Sequence, residues 1–402
     1  MTNATPTSEP AGSLPDRVLG ALRRVCRDSG RFYALHEPRF AGSEWDYTRE
    51  CLDTGWVSSA GKYVDQFERM LAEYTGMSHA VATVNGTAAL HLCLRLAGVE
   101  PGDEVLVPAL TFVATANAVA YCHAVPHFID AELSTLGLDA SRLNSYLAET
   151  AEVKGNVCMN RRTGRPIRAL VPMHTFGHPS DMEGLLEVAA RFRLTIVEDA
   201  AESLGSFHKQ RHTGHHGRLA ALSFNGNKIV TTGGGGAILT NDAELGRRAK
   251  HLSTTAKVPH AWEYHHDCVG YNYRMPNLNA AVGCAQLEQL PKFIEAKRAL
   301  AARYAETFAG LSGVEFFTEP AFARSNYWLN VILLERANDV QRDALLEVTN
   351  KNKIMTRPAW KLMHRLPMYL DCPRMELPVA EDLERRLINI PSGVAIELEH
   401  QS

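Results

Sequence analysis

Lys228 stands where the surroundings most favour chemistry. It lies in Ser223-Phe-Asn-Gly-Asn-Lys228-Ile-Val-Thr-Thr-Gly-Gly-Gly-Gly236, between a short apolar strand (Leu219 to Phe224) and four consecutive glycines leading into Ala237-Ile-Leu-Thr240. Glycines let backbone approach a bound group closely, at an entropic cost that a plain turn rarely requires. A lysine held partly away from water has a lowered pKa and can form a Schiff base with an aldehyde. The plainer alternative is a solvated lysine on a flexible surface loop.

Asp199 closes the apolar run Thr195-Ile-Val-Glu-Asp199. A carboxylate at the end of a buried strand stays ionised only against a cation or several donors. The protonated ring nitrogen of pyridoxal phosphate is such a partner; a helix cap or a structural ion pair is another use, and Glu198 can be the structural member of this pair. Asn85-Gly86-Thr87-Ala88-Ala89 marks a strand-to-helix turn, where free N–H groups, the helix dipole and the Thr87 hydroxyl favour an anion. An ordinary capped turn has the same residues. Phe112, in Pro108-Ala-Leu-Thr-Phe-Val113, can stack on a cofactor ring or fill core. Ser223 precedes Lys228 by five residues, near enough for its hydroxyl to reach a phosphate.

The elements that must position these groups follow from periodicity. From His79 onward apolar strands alternate with helices: strands at 80–84, 105–109, 124–129, 169–173 and 195–199, with helices near 87–98, 114–122, 140–147 and 182–191. That alternation predicts an α/β fold with a parallel or mostly parallel central sheet covered by helices on both faces. Ligands gather at the carboxyl ends of such strands. Upstream, a helix is expected over Pro15–Cys26, capped by Ser13, then an irregular stretch to Gly61, then a helix that stops at Gly76. Downstream, a helix is expected from Pro291, with proline at its first position, to Phe308. Strands at 314–317 and 328–334 and a helix near 340–350 then suggest a smaller C-terminal α+β domain. The expected division is a disordered tail (1–14), an N-terminal helix and irregular segment packing on the small domain or an interface (15–60), a large domain (61–290) and a small domain (291–402).

Bulk properties narrow the function classes. The chain has 402 residues, 45% hydrophobic and 22% charged, with a formal net charge of -3. That balance gives no polyelectrolyte signature, so neither nucleic acid nor an anionic membrane surface is an expected partner. No apolar run approaches the ~18 residues of a membrane span. The first fourteen residues lack a secretory pattern. The eight cysteines are dispersed, without a Cys-x-x-Cys pair, as in a reduced cytoplasmic protein. His212, His215 and His216 have spacings that suit a metal, but no acidic or thiol ligand accompanies them. They read as a solvated or substrate-edge loop, His265-His266-Asp267 is similarly ambiguous, and no metal is expected.

In order along the chain, Asn85-Gly-Thr-Ala-Ala-Leu90, Thr111-Phe-Val-Ala-Thr115, Val197-Glu-Asp-Ala-Ala-Glu-Ser203, Ser223 to Lys228 and Gly270-Tyr-Asn-Tyr-Arg-Met275 resemble the motifs of fold-type I pyridoxal phosphate enzymes, specifically the DegT/DnrJ-type nucleotide-sugar aminotransferases. The resemblance runs from about Glu37 to Pro391. Val57 to Phe67 and Thr356-Arg-Pro-Ala-Trp-Lys-Leu-Met-His-Arg-Leu-Pro367 are similar to the LegC-like branch, which aminates UDP-linked 4-keto-6-deoxy sugars. The resemblance implies that Lys228 forms the Schiff base and that Asp199 pairs with the pyridinium nitrogen. It also implies that Phe112 stacks on the ring, while Gly86, Thr87 and Ser223 hold the phosphate. Glu202 takes a position beside the cofactor's phenolic oxygen that relatives often fill with Gln or His. Asn272 matches a residue that reaches the phosphate of a neighbouring subunit, implying a homodimer with shared sites. Trp328, Arg357 and His364 are candidate substrate contacts, since a guanidinium suits a pyrophosphate.

The activity so implied moves an amino group from L-glutamate, released as 2-oxoglutarate, to the 4-keto carbon of a UDP-linked 4-keto-6-deoxy amino sugar, for surface-glycan or nonulosonic-acid type biosynthesis. A dTDP- or GDP-linked acceptor, or a non-catalytic sugar-nucleotide sensor that keeps the cofactor, is the alternative. Relatives with this fold that act as dehydratases carry histidine in place of the lysine. A dinucleotide or nucleoside-triphosphate module fits less well, because the first βα turn lacks G-x-G-x-x-G and the lysine loop lacks G-K-[ST].

Overall fold

A computed structural model describes residues 12–27 and 30–398 of the chain. Of the expected tail, residues 1–11 lie outside the described residues, and Leu14 already opens a helix. That helix, Leu14–Cys26, is capped as expected, with the Ser13 hydroxyl accepting the Asp16 N–H.

Seven strands build the backbone of the main sheet: β1 (His79–Thr83), β2 (Glu104–Pro108), β3 (Val125–Ile129), β4 (Pro166–Leu170), β5 (Thr195–Asp199), β6 (Leu219–Ser223) and β7 (Gly236–Thr240). Their spatial order is β1-β7-β6-β5-β4-β2-β3. Only β7 runs against its neighbours, so the sheet is mostly parallel. A hairpin over Ala151–Lys154 and Val157–Asn160, which alternation did not reveal, adds two antiparallel strands beside β4. Every residue of β2 and β7 is buried, because helices cover both faces. The helix Gly86–Leu96 is itself almost wholly buried, lying on β6 and β7 beneath the helices Val113–Tyr121 and Ala243–Ser253. A smaller antiparallel sheet orders Val314–Phe316, Asn330–Leu334, Leu387–Ile390 and Arg357–Pro358.

Two expectations need correction. The helix placed at Pro291–Phe308 is one element, Asn277–Phe308, with Pro291 inside it. An interior proline removes one helical hydrogen bond, a loss of about 3 kcal/mol. Burial of Ala280, Ala281, Cys284, Leu287 and Leu290 in the core shared with the helix Lys62–Thr75 offsets that loss. The helix therefore runs unbroken across position 290. The stretch read as irregular holds a helix, Glu44–Asp53, that buries only Glu44 and Cys51 and so carries no apolar stripe to reveal it. The N-terminal helix packs with Leu300, Tyr304, Ile332 and Leu345 of the C-terminal part.

Candidate active site

The expected ligand-binding residues converge where strand ends meet helix starts. A cleft of about 330 Å³ is lined by Asn85, Gly86, Thr87, Phe112, Asp199, Glu202, Ser223, Lys228, Trp328 and Trp360, among others. At one end the Asn85 side chain accepts the Ala88 N–H at 2.7 Å and caps the helix Gly86–Leu96. The first N–H groups of that helix and the positive end of its dipole then open on the cleft. Gly86 is required by contact: a Cβ there would meet the Ser223 Cβ at 2.7 Å. Gly236 is required for the same reason, because its Cβ would strike the Asn85–Gly86 peptide at 2.5 Å. Of the four glycines, Gly235 and Gly236 both lack room for a Cβ, Gly235 against the side chains of Thr232 and Met275 and Gly236 against backbone, while Gly234 faces open space and only Gly233 takes a left-handed conformation.

Asp199 ends β5 and is 4% exposed. Its Oδ2 accepts from the Thr115 hydroxyl at 2.8 Å and its Oδ1 from the Ala201 N–H at 3.2 Å. Burial pushes the carboxyl above its ordinary range, against these bonds and the charge of Lys228. A cationic N–H placed against it would restore the carboxylate. Glu198 faces the opposite side of the strand. Burial alone would raise its pKa, yet His174 at 3.0 Å and the N–H groups of Gly214 and His216 at 2.8 and 2.7 Å, with that of Gly217, hold it at about 2.

Lys228 follows β6 on a tight turn, its N–H bonded to the Asn225 carbonyl at 2.9 Å. Its Nζ donates to Glu202 Oε1 at 3.2 Å and lies 3.7 Å from the centre of the Trp328 ring. Glu202 Oε2 accepts the Phe176 N–H at 2.9 Å. Burial raises the Glu202 carboxyl to about 7 even with Lys228 beside it. Phe112 is 49% exposed, immediately precedes the helix Val113–Tyr121 and lies with its ring centre 6.2 Å from that of Trp360 on the wall of the cleft.

Other candidates fall elsewhere. Trp328 lines the cleft, its indole N–H bonded to the Asn227 carbonyl at 2.7 Å. Arg357 does not line the cleft: it is exposed on the edge strand Arg357–Pro358, 3.4 Å from Asn350 Oδ1. His364 lines a separate groove of about 770 Å³ with Arg142 and Arg374, and its Nε2 lies 3.4 Å from Glu381. Asn272 is exposed outside the cleft and accepts from Arg274 Nε at 3.0 Å. In the loop expected to be solvated or at a substrate edge, His212 is instead buried and accepts the Gly205 N–H at 2.8 Å, while His215 and His216 are half-buried where the Gly214–Gly217 turn folds onto Glu198. Among the described residues, the group of side chains close enough to share a metal is His251, Asp267 and Cys268, not these histidines. Trp360, packed on Phe176 at 4.7 Å, was missed as a wall of the cleft, although it sits in the Thr356–Pro367 motif.

The residues present fit pyridoxal phosphate. The glycine-lined helix start with Thr87 and Ser223 would hold the phosphate, Phe112 would flank the ring, Asp199 would face its nitrogen and Lys228 its aldehyde. When bound, the cofactor supplies an electron sink for charge developing at a donor's α-carbon.

Residues 39–402 match the DegT/DnrJ/EryC1/StrS aminotransferase family. The chain is 38% identical to GDP-perosamine synthase of Escherichia coli O157:H7, over 92% of this chain and 95% of that one. It is 36% identical to EpsN of Bacillus subtilis, provisionally named a pyridoxal phosphate-dependent aminotransferase, over 89% and 90% of the two chains. The crystal structure of a DegT DnrJ EryC1 StrS aminotransferase from Brucella abortus superposes with a TM-score of 0.78 at 29% identity, covering 87% of this chain and 90% of that one. With the lysine, the carboxylate and the phosphate cradle in one cleft, the chain belongs to the DegT/DnrJ/EryC1/StrS family and is a pyridoxal phosphate-dependent sugar aminotransferase.

Proposed function

We propose that the protein transfers the amino group of L-glutamate to the 4-keto carbon of a GDP-linked 4-keto-6-deoxy sugar, yielding 2-oxoglutarate and an amino sugar for surface-glycan synthesis. The placement of Lys228 Nζ between Glu202 and Trp328, in the cleft that holds Asp199, carries this reading. Guanosine replaces the uridine of the sequence-based expectation because the relative at 38% identity is named for a GDP sugar. Lys228 serves as the base that takes the α-proton of the donor and later returns a proton to C4 of the sugar. Glu202 receives the hydrogen bond of the lysine amine between those events. Asp199 holds its carboxylate against the ring nitrogen, fixed by Thr115.

The reading extends to a cytoplasmic homodimer. All eight cysteines are unpaired, and no helix among the described residues is long and apolar enough to cross a membrane. Asn272, exposed outside its own cleft, is free to face that of a second copy.

The test is direct. Purified protein with pyridoxal phosphate should show a visible band that shifts on adding L-glutamate, and borohydride should trap the cofactor on Lys228. Lys228→Ala should lose both the adduct and all turnover; retention of either discards the assignment. A screen of GDP-, UDP- and dTDP-linked 4-keto sugars should give turnover with the GDP acceptor first. A preference for UDP or dTDP overturns the guanosine assignment and leaves the lysine chemistry intact.

A further inference from the structure

Lys297, on the long helix Asn277–Phe308, exposes none of its surface. Its Nζ donates to the Ser392 carbonyl at 2.6 Å and to the Trp328 carbonyl at 3.0 Å. Among the described residues no carboxylate pairs with it, and burial alone pushes its amine well below the ordinary lysine range. An amine kept from water without a counter-ion is unfavourable, and an apolar side chain would fill the same space more cheaply. Stability of the core therefore does not account for this lysine.

What it grips accounts for it better. The two carbonyls belong to the segments that enter the strand Asn330–Leu334 and leave the strand Leu387–Ile390. Ser392 takes the Asn330 N–H on its hydroxyl at 2.7 Å, which locks those segments together. Trp328 is the residue whose ring covers the Lys228 amine. Its N–H donates to Asn326 Oδ1 at 2.8 Å, and its indole N–H reaches the Asn227 carbonyl, one residue before Lys228. Asn326 in turn donates to the carbonyls of Glu202 and Leu204, both at 2.9 Å. Between them Tyr327 sits at φ 47, a left-handed conformation that a bulky residue adopts only when its surroundings impose it. The indole is thus fixed from the front by the lysine loop and the Glu202 turn, and from behind by one amine.

We propose that Lys297 is a positioning residue for Lys228: by clamping the Trp328 carbonyl it holds the indole face over the amine that performs the proton transfers. A cation over an aromatic face is held in place by the ring's quadrupole, so a displaced indole leaves the amine free to rotate away. The effect on catalysis rests on the aminotransferase reading; the clamp itself does not.

Lys297→Met tests it, because methionine fills the space and donates nothing. In the reconstituted enzyme kcat should fall about tenfold while KM for L-glutamate stays within about twofold. In the apo-protein, the acetylation rate of Lys228, followed by peptide mass spectrometry, should change at least threefold. In a Trp328→Ala background the same substitution should alter neither readout, since residues acting through one another are non-additive. Lys297→Gln, which keeps a donor, should restore part of both, and it carries the test if the methionine variant fails to fold. Unchanged kcat and labelling, or losses that simply add in the Trp328→Ala background, overturn the proposal. A wild-type enzyme that transaminates nothing would sink the functional reading instead, while the labelling comparison still decides on the clamp.

Discussion

Glu198 and Glu202 lie four positions apart, both almost fully buried, and end on opposite sides of the ordinary carboxylate range. The difference is supply of donors. Glu198 receives three backbone N–H groups and a histidine, whereas Glu202 receives one N–H and the Lys228 amine. Because the folded-state pKa of Glu202 lies above its ordinary value, its contribution to stability is fully present below about pH 4.5 and is lost as pH rises through about 7. A rise of that size corresponds to on the order of 3 kcal/mol. We therefore expect Glu202→Gln apo-protein to gain melting temperature relative to wild type between about pH 5 and pH 8. Taking the difference between the two proteins cancels every titration that they share. A difference that stays flat across that interval would show that the carboxyl is already ionised at the lower pH.

At the scale of elements, the site depends on how closely β7 approaches the start of the helix Gly86–Leu96. Gly236→Ala places a methyl group against backbone that cannot step aside, and should destabilise the protein by about 1–3 kcal/mol. Asn85→Ala removes the cap of that helix and should cost about 1 kcal/mol. Both should weaken pyridoxal phosphate binding, while Gly234→Ala, with nothing within 4 Å, should change neither property. Urea unfolding of the apo-proteins and cofactor titration measure the two effects. The main-sheet strands were legible in sequence because each is an apolar run covered on both faces, and the turn at Asn85–Thr87 was legible because a cap and a glycine share it. The helix Glu44–Asp53 was not, since its Trp45 is 82% exposed and no periodic stripe marks its inner side. The start of the long helix was misjudged because a local rule, proline at a helix start, was outweighed by distant apolar partners. Lys228 and Asp199 could be read from strand ends; Arg357 and Trp360 could not be sorted, since which of two neighbours on an edge segment turns inward is decided by tertiary packing.

At the scale of the molecule, Trp45, Trp262, Tyr264 and Val269 are each more than three-quarters exposed, at 82%, 79%, 82% and 86%. The last three lie on the loop that precedes Asn272, and a second copy is the occupant that our functional reading assigns to such surfaces. Light scattering should give twice the chain mass. Trp45→Glu combined with Trp262→Glu should shift that mass toward the monomer and reduce cofactor retention; a dimer that survives both changes would place the contact elsewhere. The helix Asn277–Phe308 adds a different consequence, for anyone recombining this enzyme with its relatives. It packs its first half against the helix Lys62–Thr75 and its second half against the N-terminal helix, so a crossover at position 290 would sever one rod between two foreign cores. Chimaeras meant to trade acceptor preference should instead be spliced beyond its end, at the Gly310 turn, so that the rod stays whole and in one parent with the helices Leu14–Cys26 and Lys62–Thr75.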